Sequence, residues 1–283
     1  MIIIDLNQVM ISNFMAQIGN HTNVEVEEGL LRHMILNSIR NYMQKFKSEY
    51  GEVVIACDDR KYWRREVFPY YKANRKKNRE QSEIDWTAVF ESLNTIRDEL
   101  KTFFPYRVIQ AEGAEADDVI GTLVQEFGDT NEKILILSGD KDFVQLQTYM
   151  NVKQYDPTRK RWIQHNNPSR FVKEHILRGD AGDGVPNFLS PDNCFVVGER
   201  QKPIMQKKLD TWVSQNPEEF CDSKMLRNYH RNKQLIDLSC TPAEVRERVL
   251  TQYTEQNGKD RKDLFNYFID KKLKHLLESI NEF

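Results

Sequence analysis

The chain has 283 residues and a formal net charge of −2, from 41 Lys and Arg against 43 Asp and Glu. That length can bury a sizeable core and hold one large domain or two small ones. No run of 18 apolar residues occurs, and none of the four cysteines (Cys57, Cys194, Cys221, Cys240) forms a C-x-x-C pair, which excludes a membrane-spanning helix, a zinc knuckle and a redox dithiol.

In chain order, residues 2–6 read as a short buried strand ending at Asp5. Its start, Met1-Ile2-Ile3-Ile4-Asp5, lacks the basic lead and the length of a signal peptide, so a soluble, cytoplasmic protein is expected. Residues 27–48 place Leu31, Met34, Ile35, Ile39, Tyr42, Met43 and Phe46 at helical spacing. Residues 52–57 read as a second buried strand that ends at Asp58-Asp59. A basic stretch follows, with nine Lys or Arg and one Glu between Arg60 and Arg79. Residues 84–104 form a long predicted helix, with Trp86, Val89, Phe90, Leu93, Ile96 and Leu100 along one side. Residues 106–110 make a third strand, 115–127 a helix and 133–137 a fourth strand. Residues 152–155 and 161–164 flank Asp156-Pro157-Thr158 as a hairpin. From about residue 166 the pattern turns helical, with helices expected over 168–177, 203–214, 222–235, 242–253 and 260–279.

Strands alternating with helices imply an α/β fold with a mostly parallel sheet covered on both faces. In such sheets ligands bind beyond the carboxyl ends of the strands. Asp5, Asp58 and Asp140 each lie just past a predicted strand, so the topology draws them to one sheet edge. Glu115-Ala116-Asp117-Asp118 opens the helix between the third and fourth strands, and Ser138-Gly139-Asp140-Lys141-Asp142 follows the fourth. Like charges gathered this closely repel unless cations sit between them. Hard oxygen donors at this density suit Mg²⁺ or Mn²⁺, and a phosphodiesterase with two such ions needs neither His nor Cys. Asp180 and Asp183, in a Gly-rich loop, are candidates for a second group of ligands. In the basic stretch, Lys61 to Arg65 and Phe68 to Lys77 interleave cations with aromatic rings, as contacts to phosphates and unpaired bases require.

The order strand-Asp, Cys57-Asp58-Asp59 before the basic Tyr71-Lys72-Ala73-Asn74-Arg75 segment, Glu115-Ala116-Asp117-Asp118, Ser138 to Phe143, and Gly179-Asp180 to Asp183 with Gly184-Val185-Pro186 resembles the flap endonuclease, or 5′-nuclease, family. Arg32-His33, Tyr62 to Arg65 and the closing Ser279 to Phe283 carry a resemblance to its T-even-type bacteriophage ribonuclease H branch. The resemblance implies a PIN-like core over 1–166 with a basic helical arch at 60–85. An α-helical region over 167–283 would contain a helix–three-turn–helix-like element for duplex binding. It implies a monomeric 5′→3′ exonuclease and flap endonuclease acting on DNA and RNA–DNA duplexes with 5′ ends or flaps. Such an enzyme removes RNA primers in phage DNA replication, in the host-cell cytoplasm, with two Mg²⁺ ions for which Mn²⁺ substitutes.

Carried over by position, Asp5, Asp58, Asp117 and Asp140 are expected at the first ion, and Glu115, Asp142, Asp180 and Asp183 at or near the second. Asp118 is in the same motif and is expected among the catalytic residues. Lys72 and Arg75 are expected to hold the scissile phosphate. Arg32, Arg64, Arg65, Tyr71, Lys76 and Lys77 are expected to contact nucleic acid. The family's Gly-x-Gly hairpin is replaced here by Gly198-Glu199-Arg200 after a longer 187–197 insertion. Duplex grip is therefore expected from Arg200, Lys202, Lys207 and Lys208 rather than through a monovalent ion. A partner of the single-stranded-DNA-binding type is expected at the C-terminal helix, near Lys271, Lys272 and Lys274. The rival readings are a PIN-type metal ribonuclease and a non-catalytic protein that binds branched nucleic acid.

Overall fold

The computed structural model describes residues 1–19 and 27–283, and the side chains of all of these except 76–78 and 80. Strands β1 (Ile2–Asp5), β2 (Val53–Ala56), β3 (Arg107–Ile109), β4 (Ile134–Leu137), β5 (Val152–Asp156) and β6 (Arg161–Ile163) form one sheet in the order β3-β2-β1-β4-β5-β6. The first five are parallel, and β6 returns antiparallel from β5 as the hairpin. The central strands are continuous apolar runs because both of their faces are covered. Ile2 and Ile4 face one core layer, whereas Met1 and Ile3 face the other. Strand order reverses across β1, between β2 on one side and β4 on the other. A ligand crevice opens at the carboxyl ends of such a pair.

The first layer holds helices α1 (Leu6–Ile18), α2 (Glu28–Tyr50) and α5 (Trp86–Phe103). Between α2 and α5 the basic stretch folds as two short helices, α3 (Trp63–Val67) and α4 (Ala73–Glu80). The second layer holds α6 (Ala116–Phe127). Beyond the hairpin come α7 (Pro168–Arg178), α8 (Gln206–Trp212), α9 (Ser223–Ile236), α10 (Ala243–Glu255), α11 (Leu264–Asp270) and α12 (Lys274–Leu277). The Asn167 side chain caps α7 by accepting from Arg170 N at 2.9 Å.

Two elements depart from the sequence reading. Helix α1 follows β1 with no intervening turn, and Asp5 serves both as the last strand residue and as the helix N-cap. The single helix expected over 260–279 is broken. Lys272 has φ of 56°, and Leu273 N donates to Phe268 O at 2.9 Å, closing α11 before α12 begins. The apolar spacing runs through this break because the reversal returns Leu273, Leu276 and Phe283 to the first core layer. There Phe283, wholly buried, meets Phe104 and Phe268 edge-on. Val245 and Val249 of α10 likewise join the second layer. The segment from Leu238 onward thus packs on the sheet, while α7, α8 and α9 gather around smaller clusters of their own.

Candidate metal and phosphate site

Four carboxylates from four segments meet at the carboxyl edge of the sheet. Asp5 accepts from Gln8 N at 3.2 Å and from Ser138 Oγ at 2.9 Å, which ties the end of β1 to the end of β4. Asp58, just past β2, accepts from Ala116 N at 2.7 Å and from the Asn7 amide. Asp140 caps a 3₁₀ helix (Lys141–Thr148) by accepting from Asp142 N at 2.9 Å, and Gln154 donates to its carbonyl at 2.6 Å. Asp117 stands in the first turn of α6. All four line one cleft of about 1330 Å³, together with Glu115 and Asp183.

The electrostatics are those of anions without enough counter-charge. Burial, then the neighbouring Asp58 and Asp140, push Asp5 up to about 7. Burial and Glu115 raise Asp58, and burial with Asp140, Glu115 and Asp5 raises Asp117 well above the carboxylate range. A set of hard oxygen donors that strains against its own charge fits divalent cations of the Mg²⁺ or Mn²⁺ type.

A stability prediction follows from the raised groups. A carboxylate whose folded pKa exceeds its unfolded value binds its proton more tightly when folded, so its stabilisation is present at low pH and lost as pH rises. Asp5 and Asp142, both near 7 in the fold, place that loss between about pH 4 and pH 7. Asp180 has the opposite sign, and its stabilisation disappears only below about pH 4. The metal-free protein should therefore melt at a lower temperature at pH 8 than at pH 5.5. Added Mg²⁺ should restore the loss at pH 8 by binding the folded form. Differential scanning fluorimetry checks both, and a melting temperature that rises steadily with pH in EDTA would contradict the charge cluster.

The turn into α6 separates two roles that one motif had combined. Asp118 is fully buried and does not line the cleft. It accepts from Trp63 Nε1, Arg64 Nη1, Thr241 Oγ1 and Glu115 N, so both oxygens are engaged and it closes a capping box. The catalytic role expected of Asp118 is not one its position allows; it braces the helix that carries Asp117. Arg64, expected on nucleic acid, is 2 % exposed and binds Glu115, Asp118 and the Leu235 carbonyl. Tyr71 is also buried, and its hydroxyl lies 3.0 Å from both Glu115 and Asp183. Arg32 is buried between α2 and α5, where it pairs with Glu99 and Glu28. These three cations and rings serve the fold because each faces a carboxylate inside it, not solvent.

Lys72 and Arg75 do reach the cleft. Lys72 Nζ lies 2.6 Å from Glu115 and 3.6 Å from Asp183, and Arg75 also pairs with Asp183. Burial opposes the charge on Lys72, but Glu115, Asp183 and Asp117 hold its pKa above the ordinary value. Lys72 has φ of 55° and donates its N–H to Asp183 O at 2.7 Å. Gly184 allows this approach, since a Cβ there would sit 2.9 Å from the Tyr70 carbonyl. Arg65 and Arg79 line the same cleft. The side chains of Lys76 and Lys77 lie outside those described. Arg200, Lys202, Lys207 and Lys208 are all exposed and stand away from the cleft lining. Trp86 and Phe90, placed along one side of the predicted helix, form a paired aromatic wall of the cleft, and Trp86 also packs on the first core layer, edge-on to Phe14, whereas Phe90 is exposed. The Trp86 and Phe90 ring centroids are 5.8 Å apart, and Arg79 lies over Phe90.

A second acidic group lies beside the first. Asp117 and Asp183 line both the cleft and a small adjoining cavity bordered by Asp142 and Asp180. Burial and Asp140 push Asp142 up to about 7. Burial would raise Asp180 as well, but hydrogen bonds from His175 and Lys141 hold it below the usual range. His175, buried on α7, stands between Asp142 and Asp180. No spacing in the sequence marks it, because its partners lie 33 positions before it and 5 after it.

Comparison with known proteins places the chain. Residues 1–176 match the family model for the 5′-3′ exonuclease N-terminal resolvase-like domain, and residues 169–283 match that for the C-terminal part of T4 RNase H. The chain belongs to the 5′-3′ exonuclease family. It is 35 % identical over 292 residues to the ribonuclease H of Enterobacteria phage T4, covering 99 % of this chain and 95 % of that protein. A 5′-3′ exonuclease of Buchnera aphidicola is 33 % identical over 159 residues, 54 % of this chain and 53 % of that one. The D15 protein of bacteriophage T5, crystallised with metal ions, shares the fold, with a TM-score of 0.63 at 18 % identity over 90 % of this chain and 98 % of that chain. This family member is a nuclease of the divalent-metal-dependent class. None of its described helices is long and apolar enough to cross a membrane.

Proposed function

We propose that this nuclease hydrolyses phosphodiesters near the 5′ ends of RNA–DNA and DNA–DNA duplexes and at flaps, removing RNA primers in phage replication with two Mg²⁺ ions. The observation that carries the reading is the meeting of Asp5, Asp58, Asp117 and Asp140 in one cleft with Lys72 and Arg75 at its wall. Asp5, Asp58, Asp117 and Asp140 would hold the first ion, and Asp142, Asp180, Asp183 and Glu115 would surround the second. Bound cations would lower the pKa of the attacking water and stabilise the leaving 3′-oxygen. Lys72 and Arg75 would supply positive charge where the transition-state phosphorane carries its negative charge.

Substrate has to compete for these cations, because Asp183 occupies Arg75 in its absence. The division of labour we propose assigns chemistry to residues 1–166, with 60–85 bridging the cleft, and duplex contact to the region from 167. In that region Arg200, Lys202, Lys207 and Lys208 offer exposed charge. Of the three lysines expected at a site for a single-stranded-DNA-binding partner, Lys271 is held by Glu99 at 2.6 Å, whereas Lys272 and Lys274 have no ion pair among the described residues.

Labelled 5′-flap and RNA–DNA substrates test the reading. Cleavage from the 5′ end that needs Mg²⁺ and stops in EDTA is expected. Equal cutting of single-stranded RNA with no preference for a 5′ end would overturn it. The aromatic wall gives a narrower test. Stacking on an aromatic ring contributes about 1–3 kcal/mol per base. Phe90→Ala should therefore weaken binding of a 5′ single-stranded overhang, measured by anisotropy in Ca²⁺, and leave blunt duplex binding unchanged. Equal loss on both substrates would remove base stacking from the account.

A further inference from the structure

The second acidic group contains a nitrogen that its carboxylates do not use. His175 Nε2 lies 3.0 Å from Asp180 Oδ2 and donates to it. That oxygen also receives Lys141 Nζ at 2.8 Å, while Asp180 Oδ1 receives Gly182 N at 2.8 Å and Asp183 N at 3.2 Å. Asp180 is thus saturated by donors from its own protein. On the other side of the ring, Nδ1 stands 3.3 Å from Asp142 Oδ1. Both atoms are buried, they are not aligned as donor and acceptor, and neither has another hydrogen-bond partner. His175 is only 7 % exposed, so water does not freely satisfy it.

Buried polar atoms left open in this way call for a partner. Two ligand atoms each about 2.1 Å from an octahedral ion lie roughly 3 Å apart, close to the spacing seen here. A metal-ligating imidazole usually donates its other N–H to a carboxylate, which fixes tautomer and ring orientation. Asp180 stands where that carboxylate belongs.

We propose that His175 Nδ1 and Asp142 Oδ1 ligate a divalent cation together, with Asp180 orienting the imidazole instead of binding the ion. The inference rests on the metal-dependent reading above and adds a nitrogen ligand to it. Imidazole suits Zn²⁺ and the later first-row ions better than Mg²⁺, with Mn²⁺ serving as a spectroscopic probe that accepts either donor. One of the two acidic groups therefore selects a borderline ion, while the all-oxygen group formed by Asp5, Asp58, Asp117 and Asp140 does not. The alternative is an imidazolium that bridges two carboxylates and needs no ion.

Pulsed EPR of Mn²⁺ bound to the metal-free full chain separates these. Hyperfine coupling to an imidazole nitrogen is expected in the wild-type protein, with Mn²⁺ held at least about tenfold more tightly than Mg²⁺ in competition. His175→Gln should abolish the coupling, and Asp140→Asn should leave it in place. Because the wild-type spectrum carries the result, misfolding of a variant does not obscure it. Mn²⁺ bound with no nitrogen coupling would overturn the nitrogen ligand while leaving the carboxylate site intact. Failure of any Mn²⁺ to bind would remove both readings.

Discussion

Asp140→Asn should lower cleavage of a 5′-labelled flap in Mg²⁺ by about 10³-fold or more, on the order of 4 kcal/mol of transition-state stabilisation. The substitution is nearly isosteric, and its amide oxygen can still accept from Asp142 N, the bond that caps the 3₁₀ helix. The backbone of residue 140 stays held by Gln154 and Ser138. Substrate binding and melting temperature should therefore change little, and the loss should fall on the rate in single-turnover experiments. Cleavage near the wild-type rate would remove the metal mechanism. Asp118→Asn makes the contrasting case. Asp118 does not line the cleft, so its replacement should reduce stability, and extra Mg²⁺ should not rescue it.

Arg64→Met should destabilise the fold by about 3–5 kcal/mol, the cost of breaking a buried ion pair from one side. The guanidinium lies over the Trp63 ring and touches Glu115, Asp118 and Leu235 O. With it gone, Glu115 keeps Lys72 and Tyr71. Asp118 keeps only neutral donors from Trp63, Thr241 and its own turn. A second replacement, Asp118→Leu, removes the stranded charge. The double variant should thus lose less than the sum of the two singles. Equilibrium denaturation in urea measures all three. A strictly additive result would mean that Arg64 acts through packing alone.

Much of this was legible because strand ends are abrupt. Asp5, Asp58 and Asp140 each follow an unbroken apolar run, and alternation of strands with helices places such ends on one edge. The hairpin and the acidic turn at Glu115 were legible for the same local reasons. What stayed hidden depends on contacts between distant residues. Nothing in the spacing separates Asp117 from Asp118, although one faces the cleft and the other meets Trp63, Arg64 and Thr241. Arg64 and Arg65 look alike in a charge run, but only Arg64 is swallowed by partners up to 171 positions away. The break at Lys272 was hidden because a lysine adopted the backbone usually given to glycine. Helix α1 was hidden because one aspartate served as both strand end and cap.

The packing of the C-terminal segment has a consequence for how the molecule is made. The layer beneath Ile2 and Ile4 is completed by Leu264, Phe268, Leu276 and Phe283. During synthesis the first strand must wait for side chains that follow it by 260 to 281 positions (264 less 4, and 283 less 2) before that layer is closed. Contacts of such long range form late. A chain that has not yet placed those side chains therefore lacks a finished floor beneath the strand that carries Asp5 to the acidic edge.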